Sequence, residues 1–387
     1  MARKMKDSGI EWIGEIPEGW EIKRLGAILQ ERNEVNNPIQ TTSILSLTNN
    51  RGVIPYSEKG NQGNKAKDDL TGYKIAHNYN YLFQTTAFQQ SLRGYGNGIL
   101  EIRMRIQMQK LKTVLLPVPT FLEQSNITVY LDASLSKLNI LLSKIRSSIE
   151  EYKKLKQAVI TQAVTKGVRG EREMKDSGNP WFGQIPTDWK LSRVGLHFSI
   201  ILGKMLCNAP LNDTYTLEPY YCAADVHFDG VADGERKKMW FSPIEKDLYR
   251  VSVGDLLVVE GGAGAGGSAI VENQDSDTYI QNSIMIVRSK GNSDNRYLRY
   301  LLEFLVKQGY IDIVCNKATI PHFTKDKLSC IPFCLCPTGE QEEIADYLDT
   351  KCAEIDGLIA KKEQLVKELE SYKKSLIYEV VTGKREV

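Results

Sequence analysis

The chain has 387 residues, enough for two or three domains that each bury a core. Its formal net charge is only +2, so overall basicity does not indicate a nucleic-acid partner, and any such surface must be a local patch. Its seven cysteines all lie at or after Cys207 and are irregularly spaced, which argues against a disulfide framework. With no apolar run of about 18 residues and no signal peptide, we expect a soluble cytoplasmic protein.

A tryptophan-rich segment near the N terminus, Met5–Gly26, recurs as Met174–Gly195, 169 positions later. We call these segments box 1 and box 2. Both carry two Trp, a Gly and an Ile-Pro pair at matching positions, and both continue into an alternating, strand-like run after Trp20 or Trp189. Because large aromatic side chains bury well and the box offers little catalytic chemistry, it predicts an apolar clasp that closes a domain.

The segment Glu123–Thr165 predicts one long helix. No Gly or Pro interrupts it, and at the rise of an α-helix it would form a rod of roughly 65 Å. Its apolar residues are spaced alternately four and three apart, which is typical of a coiled-coil seam. A rod with one apolar face needs a packing partner to be stable. The seam residues are Leu131, Leu135, Leu138, Leu142, Ile145, Ile149 and Tyr152.

The partner is predicted to be Glu340–Thr382, which aligns with the first helix without a gap, 217 positions later. Identical pairs include Glu123/Glu340 and Asp132/Asp349, and the seam recurs with one interruption at Lys362. Ungapped identity over this length indicates an internal duplication. The order box, variable domain, long helix therefore occurs twice.

This organisation predicts an α/β fold, more closely an α+β fold, with two domains in a pseudo-two-fold arrangement joined by two long antiparallel coiled-coil helices. We place the first domain at residues 1–120 and the first helix at 121–167. The second domain then covers residues 168–337, and the second helix covers 338–387.

Motifs for cofactors and metals are incomplete in the second domain. The glycine run Gly261–Gly267 lacks the Lys of a phosphate-binding loop, and a strand rather than a helix is predicted after it, so we expect a tight turn or a backbone approach to phosphate. Cys330, Cys334 and Cys336 have no cysteine counterparts in the repeat, and we expect them on one face of a strand as buried thiols. We predict no cofactor, no metal and no catalytic residues.

The repeated box, the helix start Glu-Gln-x-x-Ile-x-x-Tyr-Leu-Asp and the helix end Val-Thr-(Lys)-Gly resemble the specificity subunits of type I restriction–modification systems, over nearly the whole chain. The resemblance implies two target recognition domains, each reading one half of a bipartite site in double-stranded DNA. It also implies that the helices set the distance between the halves. Two methylation subunits and restriction subunits would dock on the chain and carry the catalysis.

Residues that could contact DNA are basic, amide or aromatic, because phosphates attract Lys and Arg while base edges match Asn, Gln and Arg. In the second domain the candidates are Lys204, Arg236, Lys237, Lys238, Trp240, Tyr279, Gln281, Asn282, Lys317, Thr319 and His322. In the first domain they are Arg51, Lys59, Lys65, Lys67, Tyr73, Lys74, Gln89, Gln90 and Arg93.

The two predicted domains differ in length. About 40 residues after Val251 have no counterpart in the first domain, and this block includes an apolar strand, the glycine run and Gln281. Losing central strands exposes sheet edges and removes core. We therefore expect a shortened first domain with weak or absent base specificity. A compact domain that reads through Gln89–Arg93 is the alternative.

Two other functions compete with the DNA-specificity interpretation. A structural coiled-coil scaffold that joins two protein-binding domains would suit the nearly neutral charge. A stand-alone methyltransferase or nuclease would need a cofactor loop or catalytic constellation that the motifs do not supply.

Overall fold

The computed structural model describes residues 3–28, 38–39, 45–48, 52–55, 81–97, 105–262, 264–273, 276–315 and 322–387. The chain divides into two compact units. The first unit comprises Met1–Ser148 with Lys361–Val387, and the second comprises Ile149–Ala360. Each unit therefore contains part of both long helices.

The first unit contains short strands, short helices and a long helix. Its strands are β1 Met5–Asp7, β2 Glu15–Pro17, β3 Glu21–Arg24, β4 Leu45–Thr48, β5 Gly52–Pro55, β6 Gly96–Asn97, β7 Arg105–Ile106 and β8 Leu115–Val118. Its helices are α1 Leu25–Ile28, α2 Thr86–Ser91, α3 Met108–Leu111 and α4 Phe121–Lys166, the last of which continues into the second unit, with 3₁₀ turns at Tyr81–Gln84 and Leu92–Tyr95.

The second unit has longer strands and a larger core. Its strands are β9 Met174–Asp176, β10 Gln184–Pro186, β11 Lys190–Arg193, β12 Phe198–Leu202, β13 Thr216–Tyr221, β14 Val226–His227, β15 Gly230–Val231, β16 Lys237–Phe241, β17 Leu256–Val259, β18 Ser268–Ile270, β19 Tyr279–Ile280, β20 Ile284–Ser289 and β21 Pro332–Leu335. Its helices are α5 Val194–His197, α6 Pro243–Tyr249, α7 Asn295–Lys307, α8 Tyr310–Val314, α9 Lys325–Cys330 and α10 Thr338–Val381, with a 3₁₀ turn at Ala223–Asp225.

Both predicted long helices are present, α4 with 46 residues and α10 with 44. In the first unit, Leu131 and Leu135 of α4 share a core with Ile377 of α10. Asn139 pairs with Lys373 and Arg146 with Glu370, so the partner numbers fall as the α4 numbers rise. The two helices are therefore antiparallel within this unit.

The second unit repeats this packing with the other ends of the helices. Ile160 and Val164 of α4 share a core with Ile344 and Leu348 of α10. Lys156 pairs with Asp356 at 2.6 Å, and Arg169 pairs with Glu343 at 2.7 Å just after α4 ends, which again gives an antiparallel order.

Each box forms the predicted clasp with the same strand register. Met5 faces Pro17 across β1 and β2, and Met174 faces Pro186 across β9 and β10. Trp20 and Trp189, which follow these hairpins, are 1% and 0% exposed. The next strand then pairs antiparallel with the last strand before the long helix, β3 with β8 and β11 with β21. The box therefore joins the start of each domain to its end.

A four-stranded antiparallel sheet in the order β12-β20-β17-β18 forms the centre of the second unit. Its strand Leu256–Val259 is completely buried, and α7 packs against the sheet with Leu298 and Leu301 in the core. A second sheet, β16-β13-β19, stands beside it. The glycine run lies in the connection between the antiparallel strands β17 and β18, as the tight-turn prediction required.

One sequence expectation about the cysteines is wrong. Cys330 is exposed and is the last residue of α9, so it does not share a strand face with Cys334. Cys334 lies in β21, and Cys336 follows that strand; both are buried. Among the described residues, no helix is long and apolar enough to cross a membrane.

Candidate nucleic-acid interface

Several candidate residues meet at one end of the four-stranded sheet. At this end β12 finishes at Leu202 and β17 finishes at Val259, while β20 begins at Ile284. The chain leaves β12 towards Lys204 and enters β20 from the segment Gln281–Ser283, which we call the amide loop. We call this region the sheet end.

Backbone hydrogen bonds join Lys204 to the amide loop. Lys204 N donates to Ile280 O at 3.1 Å, and Asn282 N donates to Lys204 O at 2.8 Å. The preceding Gly203 has no room for a side chain, because a Cβ there would lie 2.7 Å from Ile280 O and still closer to Gln281 O. Glycine is therefore required for the two segments to approach each other.

The segment after β17 lies on the other side of the amide loop. Glu260 N donates to Ser283 O at 2.8 Å, and Phe323 N donates to Glu260 O at 2.6 Å. An isolated bridge links Gly261 to His322, which is exposed. The structure therefore brings His322 to the same end of the sheet as Lys204 and the amide loop. Lys317 and Thr319 lie outside the described residues.

Lys204 has a structural role at the sheet end, because its ammonium group is paired within the unit. Its Nζ lies 2.5 Å from Glu245 Oε2 and 4.9 Å from the ring centroid of Tyr215, and the residue is 9% exposed. Burial raises the pKa of Glu245, but hydrogen bonds from Lys204 and Ser242 outweigh it and the net shift is downwards. Lys204 therefore anchors the chain to the start of α6 and is poorly placed to neutralise a phosphate.

Arg236 is also held by its own unit. Its guanidinium pairs with Asp225 at 3.3 Å, donates to Ala232 O and stacks over the Tyr221 ring at 4.7 Å. A guanidinium with these three partners has little freedom to follow a DNA backbone.

Two exposed basic side chains among the candidates lie on β16. Lys237 and Lys238 are exposed, and Trp240 is half-buried opposite Leu217 of β13. Tyr279 is 1% exposed, and its ring packs 4.8 Å from that of Phe241. Burial raises the pKa of Tyr279. Its ring supports the sheet from inside, whereas the two lysines and Trp240 are available at the surface.

The candidates of the first unit are only partly described. Gln89 Nε2 donates to Phe83 O at 3.2 Å, while Gln90 is exposed on α2, and Arg93 lies in the 3₁₀ turn that follows. The remaining candidates, all before residue 81, lie outside the described residues: Arg51, Lys59, Lys65, Lys67, Tyr73 and Lys74.

Sequence reasoning missed one residue of the amide loop that organises the others. Ser283 Oγ accepts from Ala223 N at 3.0 Å and donates to Gln281 Oε1 at 2.5 Å. A serine directly after two amides gives no separate sequence signal, because a short polar run is ordinary at the entry to a strand.

A second feature that sequence reasoning missed is an ion pair between a residue just before each box and the start of a long helix. Arg3 and Arg172 occupy matching positions in front of the two boxes, and they pair with Glu123 and Glu340, the matching carboxylates at the helix starts. The recurrence of an Arg 169 positions later was the available signal. These pairs lock the box against the helix that follows its domain.

The cysteines do not form a metal centre in the described part of the chain, where no group of three or more His, Cys, Asp or Glu side chains could hold an ion. Burial raises the pKa of the Cys334 thiol to about 12 and that of Cys352 to about 11. Thiols with such pKa values stay protonated at neutral pH, which suits packing and not ligation.

Comparisons with known proteins agree with one another. A family profile described as the type I restriction modification DNA specificity domain matches residues 187–368, a range that contains the sheet end. A protein named as the type I restriction enzyme MjaX specificity subunit of Methanocaldococcus jannaschii is 28% identical over 287 residues. The aligned part covers 72% of this chain and 61% of that relative, so the chain spans less than two thirds of the relative's length.

One solved structure supports the same fold. One chain, from work described as the structural basis underlying complex assembly and conformational transition of the type I R-M system, superposes with a TM-score of 0.65. It has 16% sequence identity, and the match covers 96% of this chain and 99% of that one. The HsdS subunit from Thermoanaerobacter tengcongensis matches 96% of this chain and 98% of its own at 16% identity, with a TM-score of 0.48.

The fold is a mixed α+β fold of the kind found in type I restriction–modification structures. Residues 187–368 therefore resemble the DNA specificity domain of these systems, which is the family that the repeated sequence motifs also indicate.

Proposed function

We propose that the chain is the non-catalytic subunit that directs methylation and restriction subunits to a bipartite site in double-stranded DNA. The observation that carries the proposal is the specificity-domain match over residues 187–368. This range contains the sheet end with its half-buried amides and the two exposed lysines of β16. Amides suit base edges and lysines suit phosphates, so the matched range carries side chains for both kinds of contact. The place of action would be the cytoplasm.

The proposed architecture follows from the duplication. Residues 1–120 and 168–337 would be two target recognition domains in a pseudo-two-fold arrangement. The helical segments 121–167 and 338–387 would join them as an antiparallel coiled coil. The equal registers of the two boxes support this scheme, because duplicated junctions place duplicated domains equivalently. In it the helices set the distance between the two half-sites.

Partner docking is proposed for the outer faces of the helices. Leu141 and Leu358 are identical in the repeat, lie just off the seam and are 44% and 41% exposed. Apolar side chains on a solvent-facing helix surface favour a protein partner. Two methylation subunits, one for each copy of the surface, would suit the duplication.

Sequence-dependent binding is the first test. The full chain, together with its methylation subunits, is mixed with a randomised duplex library, and the bound fraction is sequenced at several salt concentrations. We expect an enriched motif together with an affinity that falls steeply as salt rises. Binding without any enriched motif would contradict the proposal and favour a scaffold.

The spacer length tests the proposed role of the helices. Removing the facing heptads Leu138–Lys144 and Leu369–Ser375 shortens the rod by roughly 10 Å, about three base-pair steps. These segments face each other because Asn139 pairs with Lys373. We expect a shorter spacer with unchanged half-sites. The control removes only the first heptad, which leaves the partner helix unmatched and should impair folding.

A further inference from the structure

The amide loop contains a chain of hydrogen bonds whose direction is fixed by two backbone N–H groups. Ala223 N donates to Ser283 Oγ at 3.0 Å, so the hydroxyl must use its one hydrogen for the other contact, to Gln281 Oε1 at 2.5 Å. Ser283 N also donates to Gln281 Oε1, at 3.2 Å. The oxygen of the Gln281 amide therefore faces Ser283, and its nitrogen faces away.

This orientation fixes the neighbouring amide as well. Gln281 Nε2 donates to Asn282 Oδ1 at 2.5 Å, so Asn282 turns its oxygen towards Gln281. An amide oxygen has two lone pairs. Both lone pairs of Gln281 Oε1 are occupied by Ser283, whereas Asn282 Oδ1 keeps one lone pair and Asn282 Nδ2 has no hydrogen-bond partner in the described part of the chain.

The two amides consequently differ in what they can offer to DNA. Gln281 cannot accept a hydrogen bond from a base, which removes it as a bidentate reader of adenine. Asn282 still presents a donor beside an acceptor on a half-buried side chain. That pair complements the major-groove edge of adenine, which offers an N7 acceptor beside an N6 donor. Guanine offers two acceptors there and would leave Asn282 Oδ1 without a donor.

We propose that Asn282 reads one adenine in the half-site of the second unit, and that Gln281 and Ser283 are positioning residues that fix the orientation of its amide. The inference rests on the proposed DNA-specificity function. It adds the residue that reads, the base that is read, and the hydrogen bonds that orient the reading amide. Gly203 supports the same arrangement, since only a residue without a side chain lets Lys204 hydrogen-bond the loop from behind.

Motif enrichment from a randomised duplex library tests the inference, with the full chain and its methylation subunits. Asn282→Ala should reduce the preference for adenine at one position by about ten- to a hundredfold and leave the other positions unchanged. Gln281→Glu keeps the acceptors for Ser283 but removes the donor to Asn282. It should therefore relax the same position, as should Ser283→Ala to a smaller degree.

The double variant separates positioning from direct reading. If Gln281 acts through Asn282, Gln281→Glu combined with Asn282→Ala should match Asn282→Ala alone, because the two changes remove one interaction. Gln308→Ala, at an exposed amide after α7, is the control and should leave the motif unchanged. Thermal unfolding and low-salt binding to nonspecific DNA show that each variant is folded.

The outcomes are distinct. If the wild type enriches no motif, the proposed function fails and the inference fails with it. If the wild type enriches a motif that Asn282→Ala leaves intact, only the inference fails. Relaxation of a second, different position by Gln281→Glu would overturn the positioning role, and a guanine or pyrimidine at the Asn282-dependent position would overturn the adenine assignment.

Discussion

The two units share one junction and differ in the domain built on it. In the first unit Arg3 pairs with Glu123, and in the second Arg172 pairs with Glu340. In both, the arginine lies over the ring of the box tryptophan, at 5.7 and 5.9 Å. The junction therefore kept its geometry after duplication, although its sequence diverged around these positions.

Outside the junction, aligned stretches of the two units form different secondary structure. The second unit has the single 13-residue helix α7, which packs on a four-stranded sheet. The matching stretch of the first unit is divided into a 3₁₀ turn, the six-residue helix α2 and another 3₁₀ turn. Within its described residues, the sheets of the first unit have two strands each.

This difference shows that the junction between box and long helix keeps its geometry even when the rest of the domain differs. The sequence predicts that the first domain lacks a block of about 40 residues. In the second unit this block contains β17, β18, β19 and β20, three of which belong to the central sheet. One contact to the helix survives in altered form: Tyr300 donates to Asp349 at 2.8 Å, whereas Tyr81 donates to Asp132, the matching carboxylate. If the first domain is shortened as the sequence predicts, it is still attached through the same kind of junction.

The largest expected effect concerns recognition by the first domain. We expect a map of modified bases, from cells carrying this chain and its methylation subunit, to show a motif defined on one side of the spacer only. The physical reason is that the block predicted to be absent from the first domain includes, in the second domain, β17 and the amide loop. A motif with three or more defined base pairs on both sides would refute the shortening hypothesis and favour a compact domain that reads through Gln89–Arg93.

The next effect concerns the stability of the two junctions. Glu340 is fully buried, whereas the side chain of Glu123 is 30% exposed. Arg172→Ala leaves a buried carboxylate with only Arg169 nearby, at 3.8 Å, and should lower the free energy of unfolding by about 3 kcal/mol. Arg3→Ala should cost about 1 kcal/mol or less, because water replaces the lost partner.

Urea unfolding, monitored by hydrogen exchange in each unit, measures the loss of stability in Arg172→Ala and in Arg3→Ala. Arg146→Ala, which removes an exposed pair with Glu370, is the control and should have little effect. Adding Glu340→Leu to Arg172→Ala should restore part of the stability, since the unpaired charge is removed. Equal losses for the two junction arginines would show that burial does not distinguish them.

A smaller effect is expected for partner docking at the equivalent leucines. Leu141→Glu with Leu358→Glu should weaken association with the methylation subunit by about tenfold or more while leaving the helix content unchanged, because both side chains face solvent. Analytical ultracentrifugation measures assembly and circular dichroism measures folding. Unchanged assembly of the double variant would place the docking surface elsewhere.

The smallest effect is a pH dependence at the first junction. Partial burial raises the pKa of Glu123, but hydrogen bonds from Thr120, Trp20 and Arg3 outweigh it and the net shift is downwards from 4.5. A lowered pKa means that Glu123 stabilises the fold above its ordinary pKa and that this contribution is lost as the pH falls through the lowered value.

Comparing wild type with Glu123→Gln during acid titration isolates this contribution. The stability difference between the two should be constant near neutral pH and should shrink below about pH 4.5, where the unfolded chain takes up a proton at this carboxylate before the folded protein does. Glu342→Gln, at an exposed position on α10, is the control. A stability difference that stays constant down to pH 3 would contradict the assignment.

The sequence by itself determined the organisation of the chain. The alternating spacing of Leu131, Leu135 and Leu138 predicted α4, because a long uninterrupted heptad pattern has one stable outcome. The duplicated boxes predicted equivalent clasps, since the Trp, Gly and Ile-Pro residues at matching positions form the same turn and strand pairs. The resemblance to type I specificity subunits was based on the same repeats.

Only the tertiary structure decided which candidate side chains are available. Lys204, Arg236 and Tyr279 fit the pattern of DNA-binding residues. Their partners Glu245, Asp225 and Phe241 are 41, 11 and 38 positions away in sequence, so the local pattern does not reveal them.

The same holds for the amide loop. Gln281 and Asn282 are equivalent as sequence, but backbone N–H groups from Ser283 and from Ala223, which lies 60 positions earlier, give the two amides different roles. Composition and spacing fix which groups a segment carries. The direction of each hydrogen bond depends on which backbone groups the fold brings beside them, and this is decided only when distant strands pair.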